Sequence, residues 1–277
     1  MILSFISLNS QLHQEHQRVL LRYLRDERTL LRHDWVKLVE AVDALNASVV
    51  AVDGREMAFR QFYERLIDAQ YADPFLQNLV TLNDVEQEGR RAQAGVAQEI
   101  CHLLDTAEGF SRDDNHCRLL LVYCLYWWAA FARGYIFEAT IFLDLSASGI
   151  RFIAHDITRR SERLSPYDLL LLNLRGDIKY TTYFLTAERL AFLLSDFFIT
   201  RWYLNHEWLR VAILRETAWG VLSLPPNDNQ RQTVVRDEVA QTLPRAAAFV
   251  IDSFTLTALG YEQWKQRVQA RQLTGEE

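Results

Sequence analysis

The chemistry in this chain is concentrated in one stretch. Ser165-Pro166-Tyr167-Asp168, four leucines, Asn173-Leu174-Arg175-Gly176 and Asp177-Ile178-Lys179 combine two acids and an ammonium with short apolar runs. In extended backbone, residues two apart share a face, so Asp177 and Lys179 point one way while Ile178 points into a core. If the two runs form a hairpin that sets Asp168 against Asp177, two carboxylates and one ammonium converge. That set suits a divalent cation held beside a phosphate. Hard oxygen donors favour Mg²⁺ or Mn²⁺ over zinc.

Two turns compete for this hairpin. A two-residue turn at Leu172-Asn173 brings Asp168 to Asp177 but requires a leucine in a backbone region it disfavours. A turn at Arg175-Gly176 is chemically easier. It would place Asp168 opposite Tyr183, roughly 20 Å from Asp177 at ~3.3 Å per residue. Both registers keep the same residues on the same face, so hydrophobic patterning does not choose between them. In the second register, Asp156 or Asp144 becomes the partner of Asp177.

The elements that must position these residues follow from periodicity. Residues 10–45 read as helical with a boundary near His33-Asp34, 47–52 as an ambiguous β-branched run, and 55–70 as helix ending at Asp73-Pro74. A short helical piece runs on to Leu82, and Asn83-Asp84 caps a helix reaching Leu104. The N-terminal third is therefore expected to be an all-helical lobe. From 114 to 134 a helix is apolar on nearly every side and is expected to be buried; Trp127 and Trp128 belong to its core rather than to a base-stacking surface. Ala139 to Leu145 and Ile150 to Ile157 read as a strand pair turning at Ser146 to Gly149. After the arginine-rich loop 158–165 come the two opening strands, a helix capped by Thr186, and strands at 197–204 and 209–217. Leu224-Pro225-Pro226-Asn227-Asp228-Asn229 is a linker, and Thr233 to Gln272 reads as helical with an interruption at Pro244.

Bulk properties bound the possibilities. With 277 residues, 49% of them hydrophobic, the chain can build one large or two small domains. The net charge of −6 offers no global basic field, so a polyanion must be met by a local patch, a protein partner or a second copy. Cys101, Cys117 and Cys124 form no CxxC pair, consistent with a reduced, cytoplasmic compartment and against structural zinc. The start of the chain lacks the basic region and apolar length of a signal peptide. The apolar run Leu119 to Ala132 is shorter than the ~20 residues that cross a bilayer, so no membrane is expected. Serine-nucleophile and phosphate-loop motifs are missing from the sequence.

Across residues 114–217, the order of helix, three strands, helix and strand, together with Pro166-Tyr167-Asp168 and Asp177-Ile178-Lys179, resembles the PD-(D/E)xK nuclease superfamily. The extra tyrosine departs from the family's literal dipeptide. The resemblance implies a restriction-endonuclease-like mixed α/β (α+β) sheet flanked by helices. It also implies Mg²⁺- or Mn²⁺-dependent hydrolysis of phosphodiester bonds, with DNA the expected substrate. Asp168 matches the first metal-binding acid, Asp177 the second and Lys179 the catalytic lysine; Ile178 offers backbone groups to the metal shell, and Glu138 matches an acid that some members carry on the preceding helix. Arg159, Arg160, Arg163 and Arg175, close by in sequence, are candidates for phosphate contact, as is Arg151.

The expected organisation is a helical lobe at 1–110, the nuclease-like core at 111–223 and C-terminal helices at 230–277. The competing reading is an inactive nuclease-like core acting as a protein- or nucleic-acid-binding adaptor. His13-x-x-His16 has a metal-capable helical spacing but no acid or cysteine beside it, and is read as exposed helix surface. His155-Asp156 either orient each other or border the arginine loop, and His206-Glu207 is assigned to a turn.

Overall fold

A computed structural model of the chain describes residues 1–204, 207–222, 232–233 and 247–274. The linker at 224–229, Pro244, His206 and the last three residues lie outside this set. The chain divides into two compact units, Met1–Arg133 and Gly134–Glu277.

The first unit is not all-helical. β1 (Leu3–Ser7), β2 (Val49–Val52) and β3 (Arg55–Ala58) form an antiparallel sheet in the order β1-β2-β3. The β-branched run at 49–52 is buried as a central strand, and Asp53-Gly54 turn it back with positive φ at both residues. Around the sheet lie α1 (Gln14–Arg25), α2 (Arg32–Leu45), α3 (Phe59–Phe62), α4 (Ala69–Leu79) and α5 (Val85–Asp105). No break occurs at Asp73-Pro74. A π-helical segment, Tyr63–Asp68, leads into α4, which continues through Pro74. Burial of Tyr71, Phe75, Leu76 and Leu79 on one side of α4 offsets the ~3 kcal/mol that an interior proline costs. Asp84 caps α5 as expected, accepting the Gln87 N–H at 2.9 Å. His13 and His16 serve the start of α1, where the His13 N–H donates to His16 Nδ1. Trp128 is buried and donates to the Gln93 carbonyl, a core role.

α6 runs from Asn115 to Ala147, so the strand expected at 139–145 is helix. Phe137, Ile141 and Leu145 recur at helical spacing and are all buried in one core, which overrides the local β-branched composition. Ser146 to Gly149 closes this helix rather than turning a hairpin: Gly149 has φ +69 and the Ile150 N–H returns to the Leu145 carbonyl. By length and composition α6 could cross a membrane, but 56% of its most apolar window is buried inside the fold, as in a core helix.

The second unit is built on an eight-stranded mixed sheet. Its strands are β4 (Ile153–Ala154), β5 (Leu169–Leu171), β6 (Leu174–Lys179), β7 (Phe197–Leu204), β8 (Glu207–Arg215), β9 (Gln232–Thr233), β10 (Ala247–Ile251) and β11 (Phe254–Gly260). They are ordered β4-β5-β6-β7-β8-β11-β10-β9. β4, β5 and β6 form an antiparallel meander, and β7 then pairs parallel with β6 after a crossover through α7 (Ala187–Phe192). α8 (Glu216–Leu222), α9 (Tyr261–Thr274) and α6 bury one sheet face with Leu169, Ile178, Phe197, Ile199 and Leu214; α7 helps cover the other with Phe198, Ile213 and Phe249. The helical reading of 233–272 is corrected over 247–260. Short apolar runs flank Asp252-Ser253, Asp252 takes φ +50, and the resulting hairpin joins the sheet through β8. The segment expected as C-terminal helices thus adds strands to the same sheet before ending in α9.

Candidate active site

The hairpin turns at Leu172-Asn173. Both residues adopt positive φ, 50° and 58°, and the pairs Leu171↔Leu174, Leu170↔Arg175 and Leu169↔Gly176 set the register. Burial of Leu169, Leu171 and Ile178 in one core, with Leu172 and Leu174 packed against it, compensates the left-handed leucine. Gly176 has another purpose than turning the chain. A Cβ there would lie 2.2 Å from the Phe197 ring, so the glycine admits the aromatic side chain of the neighbouring strand.

This register brings Asp168 to Asp177. Asp168 directly precedes β5; its N–H donates to the Gly176 carbonyl, and its Oδ2 accepts the Ile178 N–H at 2.6 Å. Asp177 is 3% exposed and accepts a hydrogen bond from Lys179 Nζ at 2.5 Å. Ile178 contributes backbone to the site and its side chain to the core. Glu138 enters from the middle of α6, because the helix runs on past it.

A fifth group completes the cluster. His155 follows β4, its N–H donates to the Asp168 carbonyl, and its Nε2 bonds Glu138 Oε1. Its Nδ1 lies 3.9 Å from Asp168 Oδ1 and is buried without a hydrogen-bond partner. Donor atoms of Glu138, His155 and Asp168 all fall within 4.8 Å of one another. Sequence reasoning left His155 between two roles because its site position follows from β4–β5 pairing, Ala154↔Leu169, across the arginine loop.

Together these groups line a cavity of about 370 Å³, with Arg163, Ser165, Pro166 and the chain at Phe192 to Leu194 on its walls. Of the other arginines, Arg159 pairs with Asp156 and Glu162, and Arg175 pairs with Asp196 through both its backbone N–H and its guanidinium. Arg160 is exposed on the loop, and Arg151 bonds Gln272. Only Arg163 of the proposed phosphate contacts lines the cavity among the described residues.

Crowded acids dominate the electrostatics. Burial, then the Asp168 charge, pushes the Asp177 carboxyl up to about 7 despite Lys179. Burial and the Glu138 charge raise Asp168, and burial raises Glu138. Burial works against the charged His155 and Lys179, but the surrounding carboxylates outweigh it and raise both. Three carboxyls in low dielectric therefore share one lysine and one histidine, an arrangement that a divalent cation would neutralise.

Neither a protein-family model, nor a curated protein, nor a solved structure matches the chain.

Proposed function

We propose that this protein is a metal-dependent nuclease with a restriction-endonuclease-like core of the PD-(D/E)xK type, hydrolysing phosphodiester bonds of DNA in the cytoplasm. The observation that carries this reading is the convergence of Asp168, Asp177 and Lys179 with Glu138 and His155 around one cavity. The element order supports it as well: a helix, an antiparallel meander, a helix and a parallel fourth strand, with the first acid at the middle strand of the meander and the acid-x-lysine on the next.

The residues fit a divalent cation. The cluster offers carboxylate oxygens, and the unpartnered Nδ1 of buried His155 adds a nitrogen donor beside Asp168. That nitrogen favours Mn²⁺ over Mg²⁺. Glu138, His155, Asp168 and Asp177 would hold the ion. Such an ion supplies a Lewis acid that polarises a phosphoryl oxygen and lowers the pKa of water. Lys179, oriented by Asp177, offsets negative charge on the phosphate and orients the attacking water. Asp168, fixed by the Ile178 N–H, keeps one carboxylate oxygen directed at the site. Arg163 lines the cavity wall, where its guanidinium would contact a phosphate oxygen.

Incubating the purified chain with supercoiled, linear and single-stranded DNA and with RNA, in Mn²⁺ or Mg²⁺, tests the proposal. We expect metal-dependent cleavage that Lys179→Ala reduces on the order of a hundred-fold or more. Cleavage that persists in Lys179→Ala would remove the lysine from the mechanism. Absence of both cleavage and calorimetric metal binding would leave the adaptor reading in its place.

A further inference from the structure

The sheet face that α6, α8 and α9 bury does not stay covered to its end. Phe197 and Ile199 on β7, with Ala212 and Leu214 on β8, belong to the core of that face. Alternation puts Arg201 and Tyr203 on the same face further along β7, and Trp208 and Arg210 beside them on β8. Here the surface opens: Tyr203 is 49% exposed and Trp208 55%.

These four residues are not an ordinary hairpin end. Tyr203 and Trp208 are cross-strand partners with ring centroids 5.2 Å apart, which by itself would be packing. Yet Arg201 and Arg210 also stand directly opposite each other, and like charges so placed destabilise a sheet. Arg210 lies within electrostatic reach of Asp144. Arg201 has no carboxylate partner among the described residues. Its guanidinium is instead held between two rings, 4.9 Å from the centre of Tyr180 and 5.0 Å from that of Trp208, and it donates to the Tyr180 hydroxyl at 2.6 Å. Phe137 of α6 fixes Tyr180 edge-on from the other side. The result is a pre-ordered row of Tyr180, Arg201, Trp208 and Tyr203, with cationic charge interleaved among partly open ring faces. Tyr180 follows Lys179 and projects to the opposite face of the sheet from it.

The geometry points to this row as a binding platform for single-stranded DNA. Open aromatic faces stack on unpaired bases, and the Arg201 guanidinium held between them meets a backbone phosphate. In a duplex the base faces are already stacked and would not reach the rings. The choice of nucleic acid rests on the nuclease reading above; the platform's geometry does not. Charge complementarity selects the occupant: a chain of net charge −6 otherwise repels a polyanion, and the ring-bound, half-buried Arg201 guanidinium is a local cation within its reach.

The test is fluorescence anisotropy with the full chain in EDTA, where no cleavage occurs, using labelled oligodeoxythymidylate, oligouridylate and a blunt DNA duplex. We expect the thymidylate to bind more tightly than the duplex. Trp208→Ala should weaken its binding on the order of ten-fold, with Trp208→Phe retaining most of it. Arg201→Ala should weaken it and flatten the salt dependence. Equal binding of duplex and single strand, unchanged binding in Trp208→Ala, or clear preference for uridylate would each overturn the assignment. So would binding to no polynucleotide, the result expected of a protein-docking face. Single-strand binding without cleavage in Mn²⁺ or Mg²⁺ would uphold the platform while defeating the nuclease reading; cleavage with unchanged binding in Trp208→Ala would do the reverse.

Discussion

Two lysine–aspartate pairs occupy the second unit, and their surroundings give them opposite character. Lys265 donates to Asp144 at 2.8 Å and lies 3.1 Å from Glu262, while Asp144 also accepts from the Tyr261 hydroxyl. Lys179 donates to Asp177 at 2.5 Å, but Asp168 and Glu138 crowd the same space. Side-chain exposure is reversed as well. The lysine is the buried member of the first pair (9% against 30% for Asp144), and the aspartate is the buried member of the second (4% against 36% for Lys179). Burial opposes the charge of both aspartates. At Asp144 the bonds from Lys265 and Tyr261 prevail and lower its pKa; at Asp177 burial and the Asp168 charge prevail and raise it. The first pair is satisfied by the fold alone. The second leaves three carboxyls, each with a raised pKa, to share one lysine and one histidine, the crowding that we propose a cation relieves.

Activity should separate the pairs most sharply. Asp168→Asn and Asp177→Asn are each expected to lower metal-dependent cleavage at least about a hundred-fold and to abolish calorimetric Mn²⁺ binding. Asp144→Asn should leave cleavage intact and instead cost about 1–3 kcal/mol in urea unfolding, because it leaves the buried Lys265 short of its acceptor. Equal loss of cleavage in both sets would erase the distinction.

A second test concerns the strand that carries Asp177 rather than its charge. Gly176→Ala forces a Cβ against the Phe197 ring and is expected to cost about 1–3 kcal/mol in the same unfolding assay. A neutral result would mean that β6 and β7 do not sit in the register that sets Gly176 against the Phe197 ring.

The sequence carried part of this site and hid part of it. Asp177 and Lys179 were readable because strand alternation alone puts them on one face, and β7 was readable because eight consecutive residues kept the strand pattern. The turn was not readable: Gly176 attracts a turn assignment by local propensity, while its actual constraint is the ring of Phe197, more than twenty positions away in effect but adjacent across the sheet. Likewise Ala139 to Leu145 has strand composition, and only the core contacts of Phe137, Ile141 and Leu145 make it helix and hold Glu138 within it. His155 could not be found from spacing, since its partners come from α6 and from the start of β5. The strands at 247–260 were missed because short apolar runs do not distinguish helix from strand by period.

The most direct reading of the comparison is in the pH dependence of metal-free stability. Asp177 titrates near 7 in the folded chain and near the ordinary carboxyl value when unfolded. Between those values the native state holds more protons, so stability falls as pH rises from about 4 towards 7. Asp144 has the opposite sign: its lowered pKa contributes stability above the ordinary carboxyl value, and that contribution is lost as pH falls through the folded value. His155 adds to the first trend, because its raised pKa stabilises the fold at low pH and ceases to do so as pH rises through the folded value. Melting temperatures in EDTA should therefore drop from weakly acidic to neutral pH in the wild type and drop less in Asp177→Asn, which becomes the more stable protein at neutral pH. Asp144→Asn should keep the neutral-range slope and lose part of the decline at acid pH. Adding Mn²⁺ should reverse the neutral-range drop in the wild type and leave Asp177→Asn unmoved, because the ion offsets the same crowded charge that the substitution removes.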